Sequence, residues 1–277
     1  MTSNRLVPPA VVRRMRAGGA DVRVSVRGEG PPLLLFMGIG ASLELWERFE
    51  EAMAPRGRRL IAIDLPGAGA SPAVFPPRRL RSLVKLAIDV LDQLGHDQVD
   101  VLGVSFGGAV AQEFAFRAPA RTRRLVLCAT SPGVLMVPAK PSVLVHLSTP
   151  LRYWRSGYAE RIIGDIYGGR SRHDRSVHEQ LKSRFERPPT ALGYVGQLYA
   201  AWGWSSLPWL WRLRVPTLVM NGDDDPIIPV VNGRVLAALI PGADLRIIKD
   251  EGHLFLLEQA EESAAVIDDF LGRDARL

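Results

Sequence analysis

Seven short runs rich in Val, Ile and Leu recur along the chain, and longer segments of helical period lie between them. The runs are DVRVSV, PLLLFM, RLIAID, VDVLGV, RLVLCA, PTLVMN and LRIIKD. Between them fall SLELWERFEEAM, RLRSLVKLAIDVLDQLG, FGGAVAQEFAFR and VNGRVLAALI, and EQAEESAAVIDDFLG follows the last run. A strand that is apolar on both faces must be covered on both. Helices between successive strands supply that cover, so the alternation predicts an α/β fold with a mostly parallel sheet flanked by helices. DVRVSV alternates apolar with polar residues, and GEGPP separates it from PLLLFM. That pattern predicts an antiparallel hairpin at the entrance to the sheet.

The rhythm breaks once. From 133 to 213 the chain becomes rich in aromatics, Pro and Arg, with WRSGY, IYGG and AWGWSSLPWLW. We read this stretch as a mainly helical cap, inserted before the strand PTLVMN, with residues 1–132 and 214–277 forming the core domain. An insertion at this point sits above the carboxyl ends of the strands, where open α/β sheets bind ligands. Trp154, Trp202, Trp204, Trp209 and Trp211 are concentrated in it, which suits an apolar acyl chain better than a sugar.

The net charge of +6 invites a nucleic-acid reading, but its distribution argues against one. Between Ser131 and Arg214 twelve Lys and Arg stand against five Asp and Glu, so this one segment carries the surplus. No aromatic-interleaved basic repeat accompanies it. The first twenty residues have a short apolar stretch broken by Pro8 and Pro9, unlike a secretory signal. No run reaches the roughly 20 apolar residues of a membrane span. These features, and a single cysteine, Cys128, in a strand-like run, lead to the expectation of a cytoplasmic protein without a membrane span.

The chemistry is concentrated in VDVLGVSFGGAVAQEFA, where a strand runs into Gly103-Val104-Ser105-Phe106-Gly107 and a helix follows at once. Strand, G-x-S-x-G, helix is a nucleophile elbow. The serine has to occupy a tight, strained turn so that its hydroxyl projects above the sheet. Gly103 and Gly107 lie where strand and helix backbones crowd together. A serine hydroxyl also needs a base, and the base needs an acid to orient it. Of the five histidines, His96 follows a helix end, and His146, His173 and His178 lie among the arginines of the insertion, facing solvent. His253, in DEGHLFLLE, falls just past the last strand run, at the carboxyl edge of the sheet, and is the candidate base.

The acid comes from NGDDDPIIP, which follows the strand PTLVMN. Chain order Ser, Asp, His is the order this elbow architecture uses. The spacing G-x-x-D-x-x-x-P, from Gly222 to Pro229, selects Asp225 and leaves Asp223 and Asp224 for turn and capping work. An oxyanion hole needs two backbone amides. Phe106, directly after the nucleophile, supplies one, and Ile39, in the glycine turn Met37-Gly38-Ile39-Gly40, supplies the other. Gly38, Trp154, Trp202 and Trp204 are the candidate substrate-binding residues. Neither G-x-G in this chain has the third glycine of a dinucleotide site, and no paired metal-ligand spacing occurs, so no cofactor and no metal are expected.

FMGIGASLEL, IDLPGAGASP, GVSFGGAVAQEFA, MVPAKPSVL, IYGG, GWSSLPWL, GDDDPIIP and GHLFL together resemble the α/β-hydrolase superfamily. Within it they are most similar to the intracellular depolymerases of medium-chain-length polyhydroxyalkanoates (PHA), from about Leu33 to Leu271. The resemblance implies a triad of Ser105, Asp225 and His253 and a polyester of 3-hydroxyalkanoic acids as substrate. Members of that family tend to carry Asn, Asn and Trp where this chain has Met37, Ser42 and Phe106, and none of these departures removes a catalytic group. The same triad serves general lipases and esterases, acyltransferases and C–C bond hydrolases, which are the alternatives. The basic insertion adds one further expectation, that Arg170, Arg172 and Arg175 seat the protein on a polymer granule surface.

Overall fold

The computed structural model describes residues 9–174 and 186–273. All seven runs are strands, and an eighth precedes them. β1 (Val11–Ala17), β2 (Ala20–Arg27), β3 (Pro32–Phe36), β4 (Arg59–Ile63), β5 (Val99–Val104), β6 (Thr122–Cys128), β7 (Thr217–Gly222) and β8 (Asp244–Ile248) form an eight-stranded sheet in the order β1-β2-β4-β3-β5-β6-β7-β8. From β4 to β8 every neighbouring pair is parallel. The crossovers are α1 (Glu47–Met53), α2 (Leu80–Gln93), α3 (Phe106–Arg117) and, between β7 and β8, a helix at Val231–Leu239.

The expected hairpin has different partners. β2 pairs antiparallel with β1 on one side and with β4 on the other, and β3 lies beyond β4. The tight turn is Gly18-Gly19, both at positive φ, as a two-residue hairpin loop requires. β1 is hard to read because it lies at the sheet edge, where VVRRMRA leaves all but its last residue, Ala17, exposed or nearly so. An edge strand has no second neighbour to impose an apolar pattern.

Side chains alternate across the sheet and build two cores. Leu34 and Phe36 pack with α2, α3 and Leu236 on one face. Leu33 and Leu35 pack on the other with Trp46 and Phe49 and with residues 255–271, which include a helix at Ala260–Gly272. Cys128 belongs to this second core, and burial pushes its thiol well above the ordinary range, so it is inert packing. Between β6 and β7 the described residues form helices α4 (Pro141–Leu147), α5 (Leu151–Trp154), α6 (Ser156–Tyr167) and α7 (Ala191–Ala201). No helix among the described residues is long and apolar enough to cross a membrane.

Candidate active site

β5 is buried along its whole length and delivers the chain to Ser105, which takes φ 56° and ψ −118°. A non-glycine residue there is strained, and the surroundings hold it in place. The flanking glycines explain how. A Cβ on Gly103 would come within 2.3 Å of the Gly107 carbonyl, and one on Gly107 within 2.0 Å of the Phe36 carbonyl. Strand and helix therefore approach as closely as bare backbone allows. The Ser105 amide donates to the Cys128 carbonyl at 3.0 Å, and Thr130 Oγ1 donates to the Ser105 carbonyl at 2.7 Å, clamping the turn from the neighbouring strand.

The three aspartates after β7 have three different environments. Asp223 is exposed. Asp224 accepts from the Gly169 amide at 2.8 Å and pairs with Arg172 at 2.9 Å, so it ties the inserted segment to the core rather than capping a helix. The Arg172 guanidinium holds its carboxyl below the usual range. Asp225 is the buried one, 5% exposed. Its Oδ1 accepts from the amides of Ile227 and Ile228 at 2.9 and 2.8 Å, and its Oδ2 lies 2.7 Å from His253 Nδ1. With one oxygen fixed by backbone, the other has a single direction, and it points at the imidazole.

His253 is held as firmly. Its amide donates to the Tyr167 carbonyl at 2.7 Å, and its ring stacks on the Tyr167 ring with centroids 6.4 Å apart. Asp225 on Nδ1 turns Nε2 toward a cavity of about 270 Å³ that Ser105 and His253 both line. No hydrogen bond joins Ser105 Oγ to His253 in this arrangement, and such contacts tighten when substrate occupies a site.

Gly38 and Ile39 line the cavity, and Gly38 lies against the nucleophile, where an added Cβ would come within 3.5 Å of Ser105 Cβ. The loop is fixed from the inserted helices. Tyr153 Oη donates to the Ile39 carbonyl at 2.7 Å, and Gln197 Oε1 accepts from the Gly40 amide at 2.7 Å. Among the described residues neither the Ile39 amide nor the Phe106 amide has an acceptor. Phe106 is the first residue of α3, so its amide is one of those a helix N-terminus leaves open. Two unspent donors and a helix N-terminus beside a serine can stabilise an oxyanion.

The tryptophans are elsewhere. Trp154 is 45% exposed and donates to the Pro189 carbonyl, Trp202 is 70% exposed beside Arg79, and Trp204 donates to Glu113 of α3 at 2.9 Å. None lines the cavity with Ser105. Trp204 packs edge-on to Trp209, which stacks on Phe116 of α3 at 4.3 Å, so this cluster fastens the insertion to the core. The aromatics that do line the cavity are Tyr153, Tyr167 and Tyr194, with Leu144, Leu147 and Leu198 and a buried Arg152. Their positions in sequence share no period, and only the packing of α4, α5, α6 and α7 brings them together.

Other expectations shift as well. His146 is half-buried and hydrogen-bonded to Tyr158 at 2.6 Å rather than facing solvent. Arg170 pairs with Glu251 at 2.6 Å and Arg172 with Asp224, so neither is a free surface cation; Arg175 and His178 lie outside the described residues. Among the described residues no cluster of His, Cys, Asp or Glu could hold a metal ion.

A strained serine after the fifth strand, an acid after the seventh and a histidine after the eighth are the parts of a hydrolase built on this sheet. Residues 31–260 match the family model described as alpha/beta hydrolase fold, and the chain belongs to that family. It is 45% identical over 269 residues to a poly(3-hydroxyalkanoate) depolymerase from Ectopseudomonas oleovorans, covering 96% of this chain and 94% of that one. It is 33% identical to a 2-hydroxymuconate semialdehyde hydrolase from Pseudomonas putida, over 95% of each chain. A solved hydrolase from Pseudomonas aeruginosa PA01 superposes with a TM-score of 0.80 at 25% identity, over 99% of this chain and 100% of that one.

Proposed function

We propose that the protein is a serine-dependent carboxylic-ester hydrolase acting through an acyl-enzyme, with a medium-chain-length poly(3-hydroxyalkanoate) as its substrate. The reading rests on one observation above all. The strained Ser105 and His253 line a single apolar cavity, with Asp225 buried behind the imidazole, beneath the inserted residues, which we take as a cap spanning 133–213. The kinship with the Ectopseudomonas depolymerase supports the choice of polymer.

His253 removes the Ser105 proton as Oγ attacks the ester carbonyl, and Asp225 holds the imidazole in the tautomer that can accept it. The amides of Ile39 and Phe106 receive the oxyanion. The ester C–O bond breaks, and His253 returns the proton to the departing 3-hydroxyl. Water, activated by the same histidine, then releases the acyl group as acid. Leu144, Leu147, Leu198, Ile227 and Leu257 give the alkyl side chain an apolar surround.

Contact with the polymer falls to the apolar rim rather than to arginines. Val145, beside cavity-lining Leu144, is 67% exposed, and Val195, one turn before cavity-lining Leu198, is 55% exposed. A cytoplasmic location, beside a stored polymer, is part of the same proposal.

Acid release from an amorphous poly(3-hydroxyoctanoate) suspension tests it, with Ser105→Ala as control and nitrophenyl octanoate alongside. Wild type should release 3-hydroxy acids and the variant none. Cleavage of the soluble ester alone would leave the esterase and remove the depolymerase. A second reading, C–C bond hydrolysis, is favoured by the 33% identity to the Pseudomonas putida enzyme. Turnover of a vinylogous diketone acid faster than any ester would establish it instead.

A further inference from the structure

Arg152 is 3% exposed, and it is the one cationic side chain among the described residues lining the cavity that holds Ser105 and His253. Arg23 and Arg58 are buried to a similar degree, and each meets two carboxylates: Glu44 and Asp64, and Asp100 and Asp268. Arg152 meets none among the described residues. Its Nη1 donates to Tyr194 Oη at 2.8 Å, and its Cζ lies 4.8 and 5.4 Å from the ring centroids of Tyr153 and Tyr194. Its Nε is buried without a hydrogen-bond partner among the described residues. A guanidinium cannot shed its proton, so a buried one without a counter-ion is expensive. Tyrosine faces and one hydroxyl offset part of that cost, and a carboxylate is the partner the fork geometry suits best.

We propose that Arg152 makes this cavity a carboxylate-reading site, taking the free acid end of a short 3-hydroxyacyl oligomer whose last ester carbonyl lies at Ser105. The proposal rests on the ester-hydrolase reading above. Its geometry comes from the tyrosines. A Cβ on Gly40 would come within 2.9 Å of Tyr153 and 3.0 Å of Tyr194, so the rings flanking Arg152 pack onto the oxyanion loop, and Tyr153 bonds the Ile39 carbonyl. In a 3-hydroxyacyl ester only C2 and C3 separate the ester oxygen from the next carboxyl carbon. A cation lining the same cavity as Ser105 therefore reads the leaving unit. When the ester C–O bond breaks and His253 protonates the 3-hydroxyl, the departing acid is already paired with Arg152. The enzyme would favour chain ends and short oligomers carrying a carboxylate over the same esters without one.

The test uses the linear dimer of 3-hydroxyoctanoate and its methyl ester. Wild type should show kcat/KM about tenfold or more higher for the free acid. That ratio should fall toward one in Arg152→Met and partly return in Arg152→Lys. Equal kcat/KM for the two dimers in wild type, or equal loss on both in Arg152→Met, would overturn the proposal. Calorimetry on wild type guards against a variant that fails to fold. 3-Hydroxyoctanoate should bind about tenfold tighter than its primary amide, and equal or weaker binding of the acid would also overturn it. If neither dimer nor any neutral ester were cleaved, the hydrolase reading would fall, and the acid-against-amide comparison would still judge Arg152.

Discussion

At the scale of single residues, burial and hydrogen bonding give three adjacent aspartates three roles. Asp225 has both oxygens occupied, by two amides and the imidazole, while Asp224 faces a half-exposed Arg172. Asp225→Asn keeps the shape but offers Nδ1 a donor where an acceptor is required. We expect kcat to fall about 10³- to 10⁴-fold with an unchanged melting curve. Asp224→Asn should leave kcat within about threefold and cost about 1 kcal/mol or less in urea unfolding, as exposed ion pairs do. A large loss of kcat in Asp224→Asn with Asp225→Asn little changed would exchange their roles, and a similar loss in both would contradict the distinction. The sequence carried this distinction only through the spacing from Gly222 to Pro229. It held nothing comparable for Tyr153, Tyr167 or Arg152, whose positions follow no period.

Among elements, the elbow and the inserted helices act on the same few atoms. Gly107→Ala would drive a methyl group to 2.0 Å from the Phe36 carbonyl. Since both sides of that contact are backbone, the cost should reach about 3 kcal/mol, read as a drop in the urea midpoint. The inserted segment reaches the oxyanion loop through Tyr153 and Gln197. Removing one hydroxyl with Tyr153→Phe should lower kcat about fivefold on a soluble ester, the worth of one hydrogen bond that positions the Ile39 amide. No change in kcat would mean that the loop holds itself. The strands were legible because buried parallel strands are written as continuous apolar runs, as in RLIAID and VDVLGV. β1 was not, because three arginines interrupt VVRRMRA at the sheet edge and only its last residue is buried. The tryptophans misled for a related reason. A large aromatic signals packing but not which surface it packs on, and the half-buried Trp204 and Trp209 pack against α3 rather than a ligand.

Over the whole molecule, the join between inserted segment and core is aromatic at Trp204 and Trp209 but polar and titratable beside His253. Arg170 and Ser171 meet Glu251 and Glu258, on either side of His253, at 2.6 Å each. Burial, with Glu251 close by, pushes the Glu258 carboxyl up to about 7 against the hydrogen bond from Ser171. Burial also raises Glu50 of α1, despite Arg27 beside it, to about 7. A carboxyl raised by folding is stabilising while protonated. Its contribution is present below the ordinary carboxylate range and is lost as pH rises toward and through 7. Wild type should therefore lose on the order of 2 kcal/mol per such group between pH 4 and 8. Glu258→Gln should flatten that slope in melting curves across the range, leaving the share due to Glu50. An unaltered slope would place the titration elsewhere.

The central claim is that Ser105 carries the acyl group. Rapid mixing with nitrophenyl octanoate, followed by acid quench and peptide mapping, tests it directly. A burst of nitrophenol equal to the enzyme concentration, with the octanoyl group on the peptide containing Ser105 and no burst in Ser105→Ala, is the expected result. Linear release without a burst, no acylated peptide after quench, and undiminished turnover in Ser105→Ala would contradict it.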